Sequence, residues 1–262
     1  MKIGIIGGTG VCDSSFISNK ENINITTKYG NIPLIKGMRN DKMIYFLERH
    51  SKGHKLIPSK VNYKGNITAL KNLNVDCIIS TAAVGSIQNC KIGDFVILNQ
   101  FLDFTKNRSC TFFDEKNSGV VHIDMTEPYC PSLRNLLIKS FKSINAPVIE
   151  NGTYVCTEGP RFETPAEIQM YKILGGNVVG MTNIPEVILA REKEICYATI
   201  SLVTNYAAGL TNNALTHKEV NENMIKMTTL LKDALINFID SIDENYRKCT
   251  CNHALSELNS LK

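Results

Sequence analysis

The chain of 262 residues contains no tryptophan, and aromatic residues make up only 7% of it. No apolar run approaches the ~20 residues that a membrane-spanning helix needs. The opening stretch, MKIGIIGGTG, carries one lysine and a short apolar run broken by glycines. It lacks the longer apolar region and small-residue cleavage site of a secretory signal, so a cytoplasmic protein is expected. There is also no block of one charge. The net charge is +4, with lysine and arginine spread along the chain. That argues against nucleic acid or a membrane surface as partner. Hydrophobic residues at 43% and charged residues at 21% are ordinary for a globular protein long enough to bury a full core.

Several common catalytic signatures are missing. Gly7-Gly8-Thr9-Gly10 is not followed by Gly-Lys-Ser/Thr, so it is not a Walker A loop. It also fails the dinucleotide fingerprint: counted from Gly8 and Gly10, the third glycine position is Asp13. No Gly-x-Ser-x-Gly elbow and no metal-ligand spacing occurs.

Cysteine, by contrast, is plentiful: there are nine. Cys77 and Cys196 sit inside apolar runs and read as buried reduced thiols. Cys249 and Cys251 form a CxC that reads as a redox pair, a disulfide staple or an incidental feature. Two cysteines alone make a poor zinc site.

Short β-branched apolar runs predict buried strands at residues 2–6, 43–47, 77–80, 95–98, 177–181 and 195–204. Helical patterns lie between them. Thr164-Pro165-Ala166-Glu167 supplies an N-cap, a first-turn proline and a capping-box glutamate. Asn183-Ile184-Pro185-Glu186 offers a similar start. Thr216 and Glu219 have capping-box spacing before a last helix, where Val220, Met224, Met227, Leu231, Ala234, Leu235, Phe238 and Ile242 recur on one face. Strands alternating with helices predict an α/β fold with a mixed, mostly parallel central sheet flanked by helices. The expected organisation is one domain over residues 1–246 and a polar tail over 247–262 that holds the CxC. The segment 103–120 is polar and reads as a long surface loop.

Six segments could carry chemistry. The glycines after the first strand let backbone N–H groups approach an anion, or simply make a tight turn. Glu48-Arg49-His50, with His54 beyond, offers an arginine fork suited to phosphate, or a solvated surface pair. Ser80-Thr81-Ala82-Ala83-Val84-Gly85-Ser86 reads as a small-residue turn at a strand end, where open α/β sheets bind ligands. In Thr157-Glu158-Gly159-Pro160-Arg161-Phe162-Glu163-Thr164, Glu163 is either a solvated loop residue or an acceptor for the N–H groups of a planar ligand. Met181-Thr182-Asn183 and Thr204-Asn205-Tyr206-Ala207-Ala208-Gly209-Leu210 each follow a strand, where an asparagine either caps a turn or reads a ligand edge.

Taken in this order, the motifs resemble the trimeric purine nucleoside phosphorylase and methylthioadenosine phosphorylase family. The resemblance runs from Ile3 to about Phe238. It is strongest at residues 5–10, at Arg49-His50 with Pro58-Ser59-Lys60-Val61-Asn62-Tyr63, at residues 158–162, and at Met181 with Pro185-Glu186. It implies phosphorolysis: phosphate attacks C1′ of a nucleoside and the purine leaves, with no metal or organic cofactor needed. By the same resemblance, Thr9, Arg49, His50, Ala82, Ala83 and Thr182 hold phosphate, and Met181 packs against the sugar. Asn205 bonds N7 and, with His50, is assigned the catalytic work. Phe162, Glu163 and Ala207 complete the base side, and His217 stands near the 5′-hydroxyl. His122 resembles a residue that a neighbouring subunit contributes, which implies a homotrimer.

The resemblance also bears on the base. Adenosine-type members typically carry Asp at the positions of Asn205 and Ala207, and Ser or Thr near Glu163. A carboxylate at Glu163 suits N1–H and the 2-amino group of guanine, whereas adenine would present it with a lone pair. A buried mismatch of this kind costs roughly 1–3 kcal/mol or more. The expected substrates are therefore inosine and guanosine. S-methyl-5′-thioinosine or S-methyl-5′-thioadenosine phosphorolysis, a nucleosidase using water and a non-catalytic nucleoside binder are the alternatives.

Overall fold

A computed structural model describes residues 1–8, 15–50, 56–116, 119–211 and 216–256, apart from the side chains of residues 217 and 219. Strand β1 (Lys2–Gly7) is central. Its alternation sends Ile3 and Ile5 to one face of the sheet and Ile6 to the other, and each joins a separate buried cluster. β1 pairs in parallel with β4 (Lys42–Glu48) and with β5 (Cys77–Ser86). An antiparallel hairpin, β2 (Ser18–Thr27) and β3 (Gly30–Arg39), extends the β4 edge.

Beyond β5 the sheet closes on itself. β5 pairs with β9 (Cys196–Tyr206), β9 with β6 (Phe95–Phe104), β6 with β7 (Val148–Thr157), β7 with β8 (Val178–Gly180), and β8 returns to β5. The molecule is thus half open sheet and half small closed ring, with β5 shared by both. Five pairings are parallel and four antiparallel, a mixed sheet that is parallel in its majority.

Helices cover both faces. The long α5 (His217–Ser241) and α2 (Pro131–Ser143) pack on the Ile3/Ile5 face, where the whole stripe from Val220 to Ile242 named above is buried. Burying side chains such as Leu231 and Phe238 stabilises the fold by about 1.5–3 kcal/mol each. α1 (Tyr63–Asn72) and α4 (Asn183–Glu192) cover the Ile6 face. α3 (Pro165–Ile173) starts with the full capping box: Glu167 N–H donates to Thr164 Oγ1, and the Glu167 carboxylate accepts from Thr164 N–H.

Three features differ from the sequence reading. Residues 80–86 are not a turn: they continue β5, and a register shift falls between Val84 and Gly85 where it pairs with β9. Small residues here let the strand pack closely on β9 and β8. Segment 103–120 is not a solvated loop throughout, because Phe112 is buried and the Arg108 side chain is 2% exposed. The segment after residue 246 is also not wholly solvated, since Cys251 is buried in the main core. Among the described residues no helix is long and apolar enough to cross a membrane.

Candidate active site

Because β1, β4, β5 and β9 run parallel, their carboxyl ends open on the same edge of the sheet. A cavity of about 340 Å³ lies there. β8 runs antiparallel to β5 and brings Met181 and Thr182 to the same place. The cavity lining includes Gly8, Arg49, His50, Ala82, Ala83, Phe162, Glu163, Met181, Thr182, Asn205 and Ala207, which come from six sequence segments. Thr9, Gly10 and His54 lie outside the described residues, as do the side chains of His217 and Glu219. His122 is exposed and is not part of this lining.

One end of the cavity is built around Arg49. Its Nε and Nη2 donate to the two oxygens of Glu186, each at 2.8 Å, in a fork that is 1% exposed on the arginine side and 0% on the glutamate side. Nη2 also donates to Ser80 Oγ, and Nη1 to the Thr81 carbonyl at 2.8 Å. Burial works against the guanidinium charge, but Glu186 outweighs it and holds the Arg49 pKa above its ordinary value. The Glu186 carboxylate accepts from Ser80 Oγ and Tyr197 OH as well, both at 2.8 Å. Asn183 continues the network by donating to Tyr197 OH and Thr199 Oγ1, and it accepts from Tyr129 OH.

Backbone fit is tight at this end. A Cβ on Gly8 would stand 2.7 Å from the Thr81 carbonyl oxygen and 3.1 Å from Arg49 Nη1, so only glycine lets the β1 turn approach so closely. Gly8 N–H donates to Thr81 Oγ1 at 3.0 Å. His50 Nδ1 donates to the Leu56 carbonyl at 2.8 Å, because a carbonyl only accepts; this puts the ring proton on Nδ1. Thr182 is the N-cap residue of α4, and its side chain makes no capping hydrogen bond.

The other end holds the carboxyl and amide groups. Glu163 is 9% exposed and accepts from Thr157 Oγ1 at 2.7 Å. Burial raises its pKa, and the Thr157 hydrogen bond opposes the rise. Asn205 is buried. Its Oδ1 accepts from Thr204 Oγ1 and its Nδ2 donates to the Tyr206 carbonyl, both at 2.9 Å, so the amide has a defined orientation. Met181 packs over Gly159, where an added Cβ would meet its sulfur at 2.5 Å; Gly159 also has φ +63°, a second reason for glycine.

Two residues without a role in the sequence reading support this arrangement. Glu186 stands in a recognised signature, and the clue to its function was chemical: a buried carboxylate requires a cation. Arg108 ties the loops behind the cavity together. It donates to the carbonyls of Met181 at 2.7 Å, Ile184 at 2.6 Å and Glu158 at 2.8 Å. No local pattern marked it, because its partners lie 50 to 76 residues away.

The sequence profile of the phosphorylase superfamily matches residues 2–240. The chain is 54% identical over 258 residues to a probable 6-oxopurine nucleoside phosphorylase of Dictyoglomus turgidum, covering 98% of this chain and 97% of that one. It is 48% identical over 259 residues to a probable S-methyl-5′-thioinosine phosphorylase of Methanothermobacter thermautotrophicus, covering 97% and 88%. Among solved structures, methylthioadenosine phosphorylase from Schistosoma mansoni in complex with adenine superposes with a TM-score of 0.91 at 33% identity, covering 99% of this chain and 98% of that one.

Proposed function

This chain belongs to the phosphorylase superfamily, and we propose that it is a purine nucleoside phosphorylase for 6-oxopurine nucleosides, inosine and guanosine, with inorganic phosphate as co-substrate. The observation that carries the proposal is that one cavity is lined both by Arg49, His50, Ala82, Ala83 and Thr182 and by Glu163, Asn205 and Ala207.

The roles follow from the chemistry. Phosphate oxygen attacks C1′, the C1′–N9 bond breaks, and its electron pair passes into the purine. The products are the free base and ribose or deoxyribose 1-phosphate. Of the five guanidinium hydrogens of Arg49, four serve Glu186, Ser80 and Thr81; the fifth, on Nη1, is assigned to phosphate. His50 Nε2, the acceptor nitrogen of this tautomer, is assigned to the hydroxyl of hydrogen phosphate. Thr9 and Thr182 supply hydroxyls, and the Ala82–Ala83 backbone supplies close approach. Glu186 is a positioning residue: it aims a charged fork before the anion arrives, so little reorganisation is needed during reaction. At the other end, Asn205 Nδ2 has a second hydrogen for N7, where the leaving base gathers charge. Glu163 accepts from N1–H, and Phe162 and Ala207 bound the base.

The sugar lies between the two ends, against Met181, with His217 near its 5′-hydroxyl. Phosphorolysis of S-methyl-5′-thioinosine or S-methyl-5′-thioadenosine is the second reading, and one observation favours it: buried apolar Val220 lines the cavity one turn beyond residue 217. On the main reading the enzyme serves purine salvage in the cytoplasm as a homotrimer, with the partner subunit's His122 reaching the site. No metal or organic cofactor enters the reaction. The test is phosphorolysis of inosine, guanosine, adenosine, methylthioinosine and methylthioadenosine, each with and without phosphate. Inosine and guanosine are expected to react fastest, and only with phosphate. Faster turnover of either methylthio-nucleoside selects the second reading.

A further inference from the structure

Far from the cavity, the fold gathers four cysteines that are scattered in the sequence. Cys130 sits at the N-cap of α2, Cys196 opens β9, and Cys249 and Cys251 form the CxC beyond α5. Their four sulfurs all lie within 4.8 Å of one another, and three of the four residues are buried. Cys249 Sγ stands 3.5 Å from Cys130 Sγ and also 3.5 Å from Cys196 Sγ.

We propose that these four cysteines form a structural zinc site that staples the C-terminal segment to the sheet. Zinc binds thiolate sulfur at about 2.3 Å in a tetrahedron, which places neighbouring sulfurs about 3.8 Å apart. The observed spacing surrounds one such centre. A disulfide has a different signature, with two sulfurs about 2.05 Å apart and excluded from other partners. Here one sulfur has two equidistant neighbours. The spacing is also too short for ligands spread around a cluster of several iron atoms, so a single tetrahedral ion is the fit.

The surroundings complete the site. Cys130 N–H donates to the Tyr197 carbonyl at 2.8 Å, which locks the α2 cap to the start of β9. Lys248 N–H donates to Ser132 Oγ at 3.0 Å, holding the segment around the CxC against α2. The Arg247 guanidinium, bonded to the Asp76 carbonyl and Tyr246 OH, lies near enough to Cys196 to interact with it electrostatically, and would offset part of the negative charge of a tetrathiolate. Binding converts four thiols to thiolates and releases four protons to solvent. The CxC alone was a poor ligand set; Cys130 and Cys196 supply the missing half. Cys196 and Asn205 stand at opposite ends of β9, about 30 Å apart at about 3.3 Å per residue. The zinc is therefore structural and takes no part in phosphorolysis.

The test uses the full chain purified under reducing conditions without chelator. Metal content is measured by elemental analysis, and free thiols are counted after denaturation in chelator. One zinc per chain with all nine thiols free is the expected result. Seven or five free thiols would mean disulfides and would overturn the proposal. So would nine free thiols with no zinc bound after incubation of the reduced protein with zinc chloride. Cys249→Ser and Cys251→Ser should each lose the stoichiometric zinc and lower Tm. Chelator should lower the wild-type Tm to a similar extent and leave those of the two variants unmoved. Cobalt substitution should give the visible absorption of a tetrahedral tetrathiolate in the wild type and in neither variant. A wild-type protein that binds cobalt without those bands would also contradict the proposal. Turnover at low temperature should be the same with and without zinc, so this test is independent of the substrate assignment.

Discussion

The two ends of the cavity are built by different means. The Arg49 end rests on a buried ion pair, and its carboxylate is held by three further groups: Ser80, Tyr197 and, through Tyr197, Asn183. At the other end Glu163 is held by a hydrogen bond from Thr157, and Asn205 by two, one from Thr204 and one to the Tyr206 carbonyl. On the proposed roles, a heavily bonded anion site beside a more lightly bonded base-reading site has a plain consequence. The reaction type is hard to alter by single substitutions, whereas the choice of base can change with one or two. The chain's relatives fit this pattern, since they share the fold and are named for different nucleosides.

The largest break in the comparison should come from Glu186→Gln. It leaves the Arg49 charge buried with no carboxylate, a defect that typically costs about 3–5 kcal/mol. A marked fall in Tm is expected, together with a rise in KM for phosphate. An unchanged Tm would show that the network does not hold Arg49.

Glu163→Gln should act on the other end alone. Losing a charged acceptor for N1–H should lower kcat/KM for inosine by about 1–3 kcal/mol, or about 5- to 150-fold. KM for phosphate should stay put. If both substrates weaken equally, the two ends are not separable.

Asn205→Asp should be milder. The existing Nδ2 bond to the Tyr206 carbonyl becomes an oxygen facing an oxygen unless the new carboxyl is protonated. Its single proton then serves either Tyr206 or N7. About a tenfold loss with inosine is expected, and a narrower inosine-to-adenosine ratio. An unchanged ratio would remove Asn205 from base reading.

The smallest effect is on pH dependence. Burial raises the Glu163 pKa, so in the free enzyme this carboxyl takes up its proton at a higher pH than in the unfolded chain. Folded protein then binds more protons than unfolded, and this group's contribution to stability rises as pH falls through the raised value. Binding of N1–H needs the ionised form, so KM for inosine should rise over the same interval. Comparing Glu163→Gln with wild type across acidic pH isolates both trends. A variant with the same KM profile as wild type would contradict the assignment.

Much of this architecture was legible in local sequence, and the illegible parts share a cause. β1, β4 and β9 announce themselves as β-branched apolar runs, α3 by its capping box, and α5 by its stripe. The hairpin β2–β3 does not: Ser18–Thr27 is largely exposed and polar, with little apolar alternation to read. β7 is interrupted by Glu150-Asn151-Gly152, which resembles a turn, and the irregular pairing of β6 with β7 absorbs it. Residues 82–85 look like a turn because they are small, but they are small because β9 and β8 crowd them. In the site, each residue that would touch a ligand stood in a recognisable segment. Glu186 and Arg108 act through residues far along the chain, and the cysteine cluster joins positions up to 121 apart, from Cys130 to Cys251. Such partnerships are set by the fold and leave no local spacing.

The proposal that the chain phosphorolyses 6-oxopurine nucleosides is decided by kcat/KM for inosine and adenosine, measured side by side with and without inorganic phosphate. It predicts a strong preference for inosine and no turnover of either nucleoside when phosphate is absent. Adenosine turned over as fast as inosine, or hydrolysis that proceeds without phosphate, would contradict it.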